Sequence, residues 1–330
     1  MPTILRDTIT GPSAWKGAAL QDDTTWLHRL TPAELEEIDA ALRHAQEKEL
    51  SHETITRDDF PLPGLAARLG EVVSQVRDGR GFFLLRGLPS EKYSEEEVFA
   101  IFWGIGMHCG APVSQNSYGD LLGHVFDRGV KMGEGQVRGY QTNQTLRFHT
   151  DRADMTALLC LRPAKTGGDS SLVSSIAIHN EIAATDPDLL TPLYDGMPYV
   201  HVEEGGYTEP RRIPVYSVHD GVLSCGIQRN TINTAITVAG IPVSGREAAA
   251  LERFDALANH PDYRFDMSLE AGDIQFCNNY TVMHARTAYE DDPDPDRKRH
   301  LVRLWLQFDK ARPVASHFKE YNGVPKQLTR

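Results

Sequence analysis

The chain has 330 residues, a net charge of −12, 40% hydrophobic residues and 24% charged residues. These values are ordinary for a soluble globular protein with a sizeable core, and they exclude a generally basic nucleic-acid-binding surface. No apolar run is long enough to span a membrane and the N-terminus lacks a signal-peptide pattern, so we expect a cytoplasmic protein. The four cysteines are far apart in sequence, which favours reduced, buried thiols.

The first 80 residues predict a helical region that precedes the main core. Thr31 and Glu34 form a capping box around Pro32, a pattern typical of a helix start. Helices are predicted at 32–48, 63–77 and 94–104, and a short buried strand at 82–86.

The rest of the chain predicts strands interrupted by helices and two polar insertions. Strands are predicted near 121–127, 155–161, 264–269, 273–277 and 299–306, helices at 175–192 and 245–259, and short antiparallel strands across 199–240. The polar segments at 114–147 and 203–213 have the composition of lids over a binding site. We therefore expect a single domain, 1–330, with a mainly β core over 81–310.

A candidate metal-binding pair, His149 and Asp151, lies just before the predicted strand at 155–161. Residues two apart in extended backbone project from the same face, so both side chains point to one place. One imidazole and one carboxylate supply two thirds of the 2-His-1-carboxylate triad that holds non-haem Fe(II).

Three other triplets of the form His-x-Asp/Glu occur, whereas composition alone predicts about two in total. His179 lies at a predicted helix start, where residues two apart do not share a face. His260 precedes a proline in a predicted turn. His201 and Glu203 could lie on a strand, so this pair remains the competing metal site.

A second histidine and two arginines complete the candidate site. His284 follows the strand at 273–277, and only folding can bring it to His149. Arg299 and Arg303 share one face of the last predicted strand with Leu301 and Trp305. Two arginines on a partly apolar inward face are costly unless anions meet them, whereas an edge strand would leave both in water.

Taken together, the motifs resemble the taurine dioxygenase/clavaminate synthase-like family of Fe(II)/2-oxoglutarate oxygenases. The matching elements, in order, are Gly81-Phe82-Phe83-Leu84-Leu85-Arg86-Gly87, Phe148-His149-Thr150-Asp151, Gly167-Gly168-Asp169-Ser170, Ala271-Gly272-Asp273, His284-Ala285-Arg286-Thr287 and Arg299-His300-Leu301-Val302-Arg303. They span most of the chain, roughly 80–310. The resemblance implies an α+β fold built on a double-stranded β-helix, or jelly roll, flanked by helices.

The resemblance also implies roles for individual residues. His149, Asp151 and His284 would bind Fe(II), and Ser170, where the family usually has Thr, would bind 2-oxoglutarate together with Arg299. Arg303 would contact the substrate or the other end of the 2-oxo acid. Asn143 and Arg229 are further candidates for substrate contact, as are Arg211 and Arg212.

The implied reaction uses O2 and 2-oxoglutarate to oxidise an unactivated C–H bond of a small polar or acidic molecule, with release of succinate and CO2. Hydroxylation, desaturation and ring formation remain open, but Asp151 fills the position that a halogenase leaves vacant for halide. Two other functions also stay open: a non-catalytic jelly roll that binds a small acid, and a Zn-dependent hydrolase with the same ligands. No nucleic-acid or membrane partner is expected, and a homo-oligomer remains a candidate state.

Overall fold

A computed structural model of the protein describes residues 3–131, 137–203, 206–319 and 322–329. The helices are α1 (Pro32–Glu47), α2 (Leu65–Arg77), α3 (Glu95–Met107), α4 (Ser175–Thr185), α5 (Leu190–Asp195), α6 (Arg229–Thr237), α7 (Gly245–Ala258) and α8 (Ser316–Lys319). Short 3-10 helices lie at Gly17–Leu20, His52–Thr54, Ser90–Lys92, Gly139–Gln141, Pro187–Leu189 and Pro295–Arg297.

The strands are numbered in chain order. They are β1 (Leu27–Arg29), β2 (Phe82–Arg86), β3 (Ala111–Pro112), β4 (Leu122–Val125), β5 (Leu146–His149), β6 (Met155–Arg162), β7 (Thr166–Gly167), β8 (Ser170–Ser174), β9 (Met197–Tyr199), β10 (Val202–Glu203), β11 (Gly206–Tyr207), β12 (Arg211–Ile213), β13 (Tyr216–His219), β14 (Val222–Cys225), β15 (Phe265–Met267), β16 (Ile274–Asn278), β17 (Val282–Arg286), β18 (Tyr289–Glu290) and β19 (His300–Gln307).

Two mixed or antiparallel sheets form the core. The larger has the order β1-β2-β16-β6-β19-β3, with β4 also paired to β19, and the smaller has the order β15-β8-β17-β5. Neighbours other than the parallel pair β1–β2 run antiparallel in both sheets. One apolar cluster contains residues of both sheets, among them Phe82, Leu301, Leu172 and Val282, so the sheets pack face to face.

Helices cover the outer faces of the two sheets. On the larger sheet, α1, α2 and α3 bury a stripe that packs on residues such as Phe276 and Leu304. On the smaller sheet, α4, α5 and α7 pack on Val173 and Met283. Each sheet is therefore buried on both faces, which explains the continuous apolar strands predicted at 82–86 and 155–161.

Local sequence signals account for the helix starts. The side chains of Thr31, Ser94 and Ser244 each accept a hydrogen bond from the backbone N–H of the glutamate three residues later. The side chain of that glutamate in turn accepts a hydrogen bond from the backbone N–H of the capping residue. The predicted starts of α1, α3 and α7 are confirmed to within a residue. The four cysteines are free and buried, as expected.

The structure differs from the sequence prediction at four places. The helix predicted at 175–192 is interrupted, because Pro187 ends α4 and begins a 3-10 turn before α5. Part of the predicted β region 199–240 is the helix α6, and residues 282–286 form a strand of their own. The N-terminal region is not purely helical, because β1 adds a strand to the larger sheet.

The two predicted lid segments are only partly described, because residues 132–136 and 204–205 lie outside the described ranges. In the described part, 114–147 contains β4 and β5, and β10 pairs with β11 as a hairpin next to the site. Their role as lids stays a prediction. Among the described residues, no helix is both long and apolar enough to cross a bilayer.

A buried ion pair joins the end of β2 in the larger sheet to the turn before β16. Asp273 is fully buried, and its carboxylate accepts hydrogen bonds from Arg86 Nε and Nη2 at 2.9 and 2.6 Å. Gly272 precedes it with a φ of +84°, and a Cβ there would lie 1.8 Å from the Leu88 carbonyl oxygen. The Ala271-Gly272-Asp273 motif is therefore a structural turn that anchors β2 to β16.

We predict that Asp273→Ala lowers the free energy of unfolding by about 1–3 kcal/mol, because the largely buried Arg86 loses the Asp273 carboxylate and keeps only the exposed Glu270 as an ion-pair partner. Urea denaturation checks this value. The matched control is Asp39→Ala, which removes the partner of Arg43 on the exposed face of α1 and should cost less than about 1 kcal/mol. Equal losses in the two variants would contradict the structural role of Asp273.

Candidate metal centre

Two strands of the smaller sheet bring the predicted ligands together. His149 ends β5 and lies directly opposite His284 of β17 in the antiparallel register. Asp151 follows two residues later, and ligand atoms of the three side chains all lie within 4.8 Å of one another. Within the described part of the chain, these residues form the one group of three potential ligands close enough to share a metal ion.

The Asp151 carboxylate is held by its neighbours on the larger sheet. Its Oδ2 accepts hydrogen bonds from Trp305 Nε1 and Thr156 Oγ1, both at 2.9 Å. Its backbone N–H donates to Asn279 Oδ1 at 2.9 Å. Because Oδ2 is occupied by two donors, the carboxylate is fixed in orientation, and Oδ1 lies 3.9 Å from His149 Nε2.

The protonation states suit metal binding. Burial, and then the neighbouring His284, lowers the pKa of His149 to about 4, so its imidazole is neutral at pH 7. Its Nδ1 donates to the Arg147 carbonyl at 2.9 Å, which leaves Nε2 as the electron-pair donor. Burial alone would raise the pKa of Asp151, but Arg303 and both histidines hold it well below its ordinary value.

The other histidine triplets lie apart from this group. His179 is in α4 and hydrogen-bonds through Nε2 to Tyr194 Oη at 2.8 Å, as a buried core histidine does. His260 lies in an exposed turn beside Asp262. His201 lines the cavity next to the centre but is not part of the three-residue cluster, and the side chain of Glu203 is not described.

A narrow cavity of about 50 Å³ leads from the three ligands to Arg299. Arg299 is 5% exposed, and its Nη1 is buried without a hydrogen-bond partner among the described atoms. Its guanidinium lies 4.9 Å from the centre of the Tyr289 ring. Ser170 lines the same cavity, with its hydroxyl donating to Gln275 Oε1 at 3.0 Å. The buried Nη1 of Arg299 lacks an acceptor, and an anion in this cavity would supply one.

The Gly167-Gly168 turn is shaped by Arg299. Both glycines have positive φ values, of +70° and +75°. A Cβ on Gly168 would lie 3.0 Å from Arg299 Nε, and one on Gly167 would lie 2.3 Å from the Ala288 carbonyl oxygen. Gly168 therefore lets the backbone pass close to the Arg299 guanidinium, and Gly167 lets it pass close to the Ala288 carbonyl.

Arg303 lies at the metal side of the cavity. Its Nε donates to Gln115 Oε1 at 2.7 Å, and its Nη1 lies 3.5 Å from Asp151 Oδ1. The guanidinium stacks on the rings of Trp305 and Tyr140 at 4.7 and 5.2 Å. The predicted pair of inward arginines is thus present, with Arg299 at the far end and Arg303 beside the ligands.

Sequence reasoning missed Arg286, a third buried arginine in this cavity. Its Nη2 donates to the backbone carbonyl oxygens of Thr142, at 2.8 Å, and Gln144. Burial, and then the charge of Arg299, lowers the pKa of Arg286 to about 10. The sequence spacing could have predicted this position. Arg286 lies two residues after His284, so in a strand its side chain points to the same face.

A wider cavity of about 470 Å³ opens above the ligands. Arg229 lines it from the start of α6, together with Arg303 and Trp305. Asn143 is exposed and, like the exposed Arg211 and Arg212, is absent from the described lining of both cavities. Its backbone carbonyl accepts the Tyr289 N–H at 3.1 Å, and substrate contact by its side chain stays a prediction.

The residues present fit an Fe(II) ion and a 2-oxo acid. Two imidazoles and one carboxylate converge on one side, the donor set that non-haem Fe(II) takes in its facial triad. The buried Nη1 of Arg299 at the far end matches a carboxylate that reaches it from the metal side.

Comparison with known proteins agrees with this chemistry. The family described as "Taurine catabolism dioxygenase TauD, TfdA family" matches residues 41–305. The chain is 33% identical over 318 residues to FR-33289 synthase of Streptomyces rubellomurinus, covering 94% of each protein. It is 28% identical over 318 residues to the taurine hydroxylase-like protein SAT17 of Stachybotrys chartarum, covering 92% of this chain and 81% of that protein.

The fold has solved counterparts. A structure of asparagine oxygenase in complex with Fe(II), 3-hydroxyasparagine and succinate superposes with a TM-score of 0.67 at 18% identity, covering 85% of this chain and 93% of that one. The family match spans the strands that carry the candidate ligands and all three arginines of the narrow cavity. The chain therefore belongs to the TauD/TfdA family and is an Fe(II)/2-oxoglutarate-dependent dioxygenase.

Proposed function

We propose that this enzyme binds Fe(II) through His149, Asp151 and His284, and that it uses 2-oxoglutarate to oxidise a C–H bond of a small polar or acidic molecule. The observation that carries the proposal is that these three side chains lie at one end of a cavity, and that the buried guanidinium of Arg299, whose Nη1 has no hydrogen-bond partner among the described atoms, lies at the other end. Succinate and CO2 would be the co-products, and hydroxylation or desaturation the outcome.

The chain's own groups would perform the positioning steps. Arg299 would bind the distal carboxylate of 2-oxoglutarate, and Ser170 would turn its hydroxyl from Gln275 to the same group. Trp305 and Thr156 would keep Asp151 in its orientation, while Arg303 balances the negative charge beside it. The bound iron and 2-oxo acid supply the oxidising chemistry, and the wide cavity above them holds the C–H bond in reach.

The strand orders support a double-stranded β-helix. In the larger sheet the order β4-β19-β6-β16, and in the smaller the order β5-β17-β8-β15, alternate strands that are distant in sequence. The chain passes from β4 to β5, from β6 to β8 and from β16 to β17, so it crosses repeatedly between the two sheets, as a jelly roll requires.

The sequence alone also left open a Zn-dependent hydrolase and a non-catalytic acid-binding protein. The described lining next to the ligands offers Arg303, Arg286 and Arg299 but, apart from Asp151, no carboxylate to serve as a general base. Oxygen uptake that depends on added 2-oxoglutarate and Fe(II) separates all three functions. Hydrolysis with Zn, or a bound acid without oxygen uptake, would reject the proposal.

We predict that Asp151→Ala and His284→Ala each lose stoichiometric Fe(II) after anaerobic reconstitution, because the ion then has only two protein ligands. His201→Ala is the matched control, since His201 lines the same cavity outside the cluster, and it should retain one Fe(II) per chain. Iron content per chain is the measurement. Loss of iron in His201→Ala, with retention in His284→Ala, would show that the triad is wrongly chosen.

We further predict that Arg299→Ala weakens 2-oxoglutarate binding on the order of a hundredfold, because a largely buried carboxylate loses its bidentate partner. Arg299→Lys should restore only part of the affinity, since an ammonium cannot reproduce the planar fork. Calorimetric titration of the iron-loaded protein measures both.

Arg303→Ala is the comparison variant, with iron content checked because Arg303 adjoins Asp151. We expect its affinity for 2-oxoglutarate to fall less than that of Arg299→Ala. A strong loss in Arg303→Ala with unchanged affinity in Arg299→Ala would exchange the two roles.

A further inference from the structure

The segment 322–329 packs beside the candidate metal ligands. The family match ends at residue 305, so this segment lies outside the matched region. Val324 is 2% exposed and forms a small apolar cluster with Trp305 and Ala153, against which the partly buried Val113 also packs. The cluster is small, so each of its members decides how tightly the Trp305 ring is held.

Backbone hydrogen bonds fix the segment 322–329 on two neighbouring stretches of chain. The N–H of Gly323 donates to the Arg152 carbonyl oxygen at 2.6 Å, and the N–H of Val324 donates to the Ser114 carbonyl oxygen at 2.8 Å. Two later N–H groups of the segment donate to the Ser117 carbonyl oxygen, at 2.8 and 2.9 Å. These bonds tie the turn that carries the carboxylate ligand to the stretch 114–117 and fix the position of the Val324 side chain.

Trp305 connects this cluster to the ligand Asp151. Its Nε1 donates to Asp151 Oδ2 at 2.9 Å, and its ring lies 4.7 Å from the guanidinium of Arg303. The indole has a single N–H, so its hydrogen bond depends on where the ring lies and how it is turned. A ring that gained room to move would hold the Asp151 carboxylate less firmly.

We propose that Val324 is a positioning residue for the carboxylate ligand. By packing in the Trp305 cluster it keeps the indole N–H on Asp151, and so orients the carboxylate before Fe(II) binds. The inference rests on the function proposed above, since it takes Asp151 as a ligand of the ion. Removing a partner that orients a metal ligand typically weakens metal affinity about 10- to 100-fold. Val324 acts through Trp305, so its own effect should be smaller.

The test measures the affinity of the full-length protein for Fe(II), under anaerobic conditions and in competition with a chelator of known affinity. Trp305→Phe removes the N–H but keeps an aromatic ring, and it should weaken Fe(II) binding about tenfold or more. Val324→Ala opens space in the cluster and should weaken Fe(II) binding at least about fivefold. Unchanged affinity in a folded Val324→Ala protein would overturn the positioning role.

Val314→Ala is the matched control for a loss of stability alone. Val314 is also buried, at 6% exposed, but it belongs to a separate cluster with Tyr280 and Phe318. Thermal unfolding should show a comparable loss of stability in Val314→Ala and Val324→Ala, whereas only Val324→Ala should lose iron affinity. An equal loss of iron affinity in both variants would show that destabilisation is the cause, and the proposal would fail.

Val324→Thr separates the shape of the side chain from its contribution to stability. Thr keeps the branched shape but buries a hydroxyl, so this variant should unfold at a lower temperature than the wild type. Its affinity for Fe(II) should nevertheless stay within about twofold of the wild-type value, because the space beside the ring remains filled. A loss as large as that of Val324→Ala would contradict positioning by packing.

The double variant of Trp305→Phe and Val324→Ala tests the route of the effect. If Val324 acts through the indole N–H, then Val324→Ala should weaken Fe(II) binding by less than about twofold once Trp305 is Phe. Independent effects would instead multiply, and that result would overturn the route through Trp305.

The two levels of inference fail separately. If the wild-type protein does not bind Fe(II), the proposed function fails and the role of Val324 with it. If the wild-type protein binds Fe(II) and the folded Val324→Ala protein binds it equally tightly, the positioning role alone is overturned.

Discussion

The site depends on the register between β5 and β17. His149 and His284 are direct partners across this antiparallel pair, and a slip of one residue would turn one imidazole to the opposite face of the sheet. The register is irregular between His284 and Arg286, because β5 carries an extra residue between Leu146 and His149. Bulges of this kind commonly re-aim side chains next to active sites. Here the Arg147 carbonyl accepts the His149 Nδ1–H, so the bulged segment also selects the tautomer that leaves Nε2 open.

The second constraint is the burial of positive charge behind the ligands. Arg286, Arg299 and Arg303 are each less than 10% exposed, and they face one described carboxylate, Asp151. The protein tolerates them partly through aromatic stacking, since the Tyr289 ring lies 4.8 Å from Arg286 and 4.9 Å from Arg299. Backbone carbonyl oxygens of Thr142 and Gln144 accept hydrogen bonds from Arg286 Nη2. The remaining buried donors without an acceptor destabilise the fold. Proteins keep such groups mainly at functional sites, where a bound ligand satisfies them.

Sequence predicted what local chemistry decides. The caps at Thr31, Ser94 and Ser244 fix the helix starts, and the same-face spacing of His149 and Asp151 follows from strand geometry. The two inward arginines were also predictable, because Leu301 and Trp305 mark their face as buried. The positions of the two arginines along the narrow cavity could not be predicted. Only the folded structure shows that Arg303 lies next to Asp151 and that Arg299 lies at the other end of that cavity.

What sequence could not predict is decided by tertiary contacts. The segment of α6 is rich in Thr, Asn and Ile, residues with modest helix propensity. It is helical because Ile232 is fully buried in the cluster beside the smaller sheet, and Ala235 is fully buried as well. The strand at 282–286 was missed because the polar residues Asn278 and Asn279 precede it. Both asparagines are in fact buried, and their side-chain amides donate to the backbone carbonyls of Val76 in α2 and of Ala153. They therefore anchor the turn by which the chain crosses from β16 in the larger sheet to β17 in the smaller one.

The proposed metal site and the wide cavity above it are built from different parts of the fold. The candidate ligands and the arginines of the narrow cavity lie on or beside paired strands of the two sheets, whose register is fixed by many hydrogen bonds. Arg229 and Arg138 instead come from α6 and a loop, and Arg229 is positioned through Asp255 of the peripheral helix α7. A change in α6 or in that loop can therefore alter the charge of the cavity without moving β5 against β17. If the wide cavity selects the substrate, as the proposed function requires, selectivity can change through these peripheral elements while the strand register at the candidate ligands stays the same.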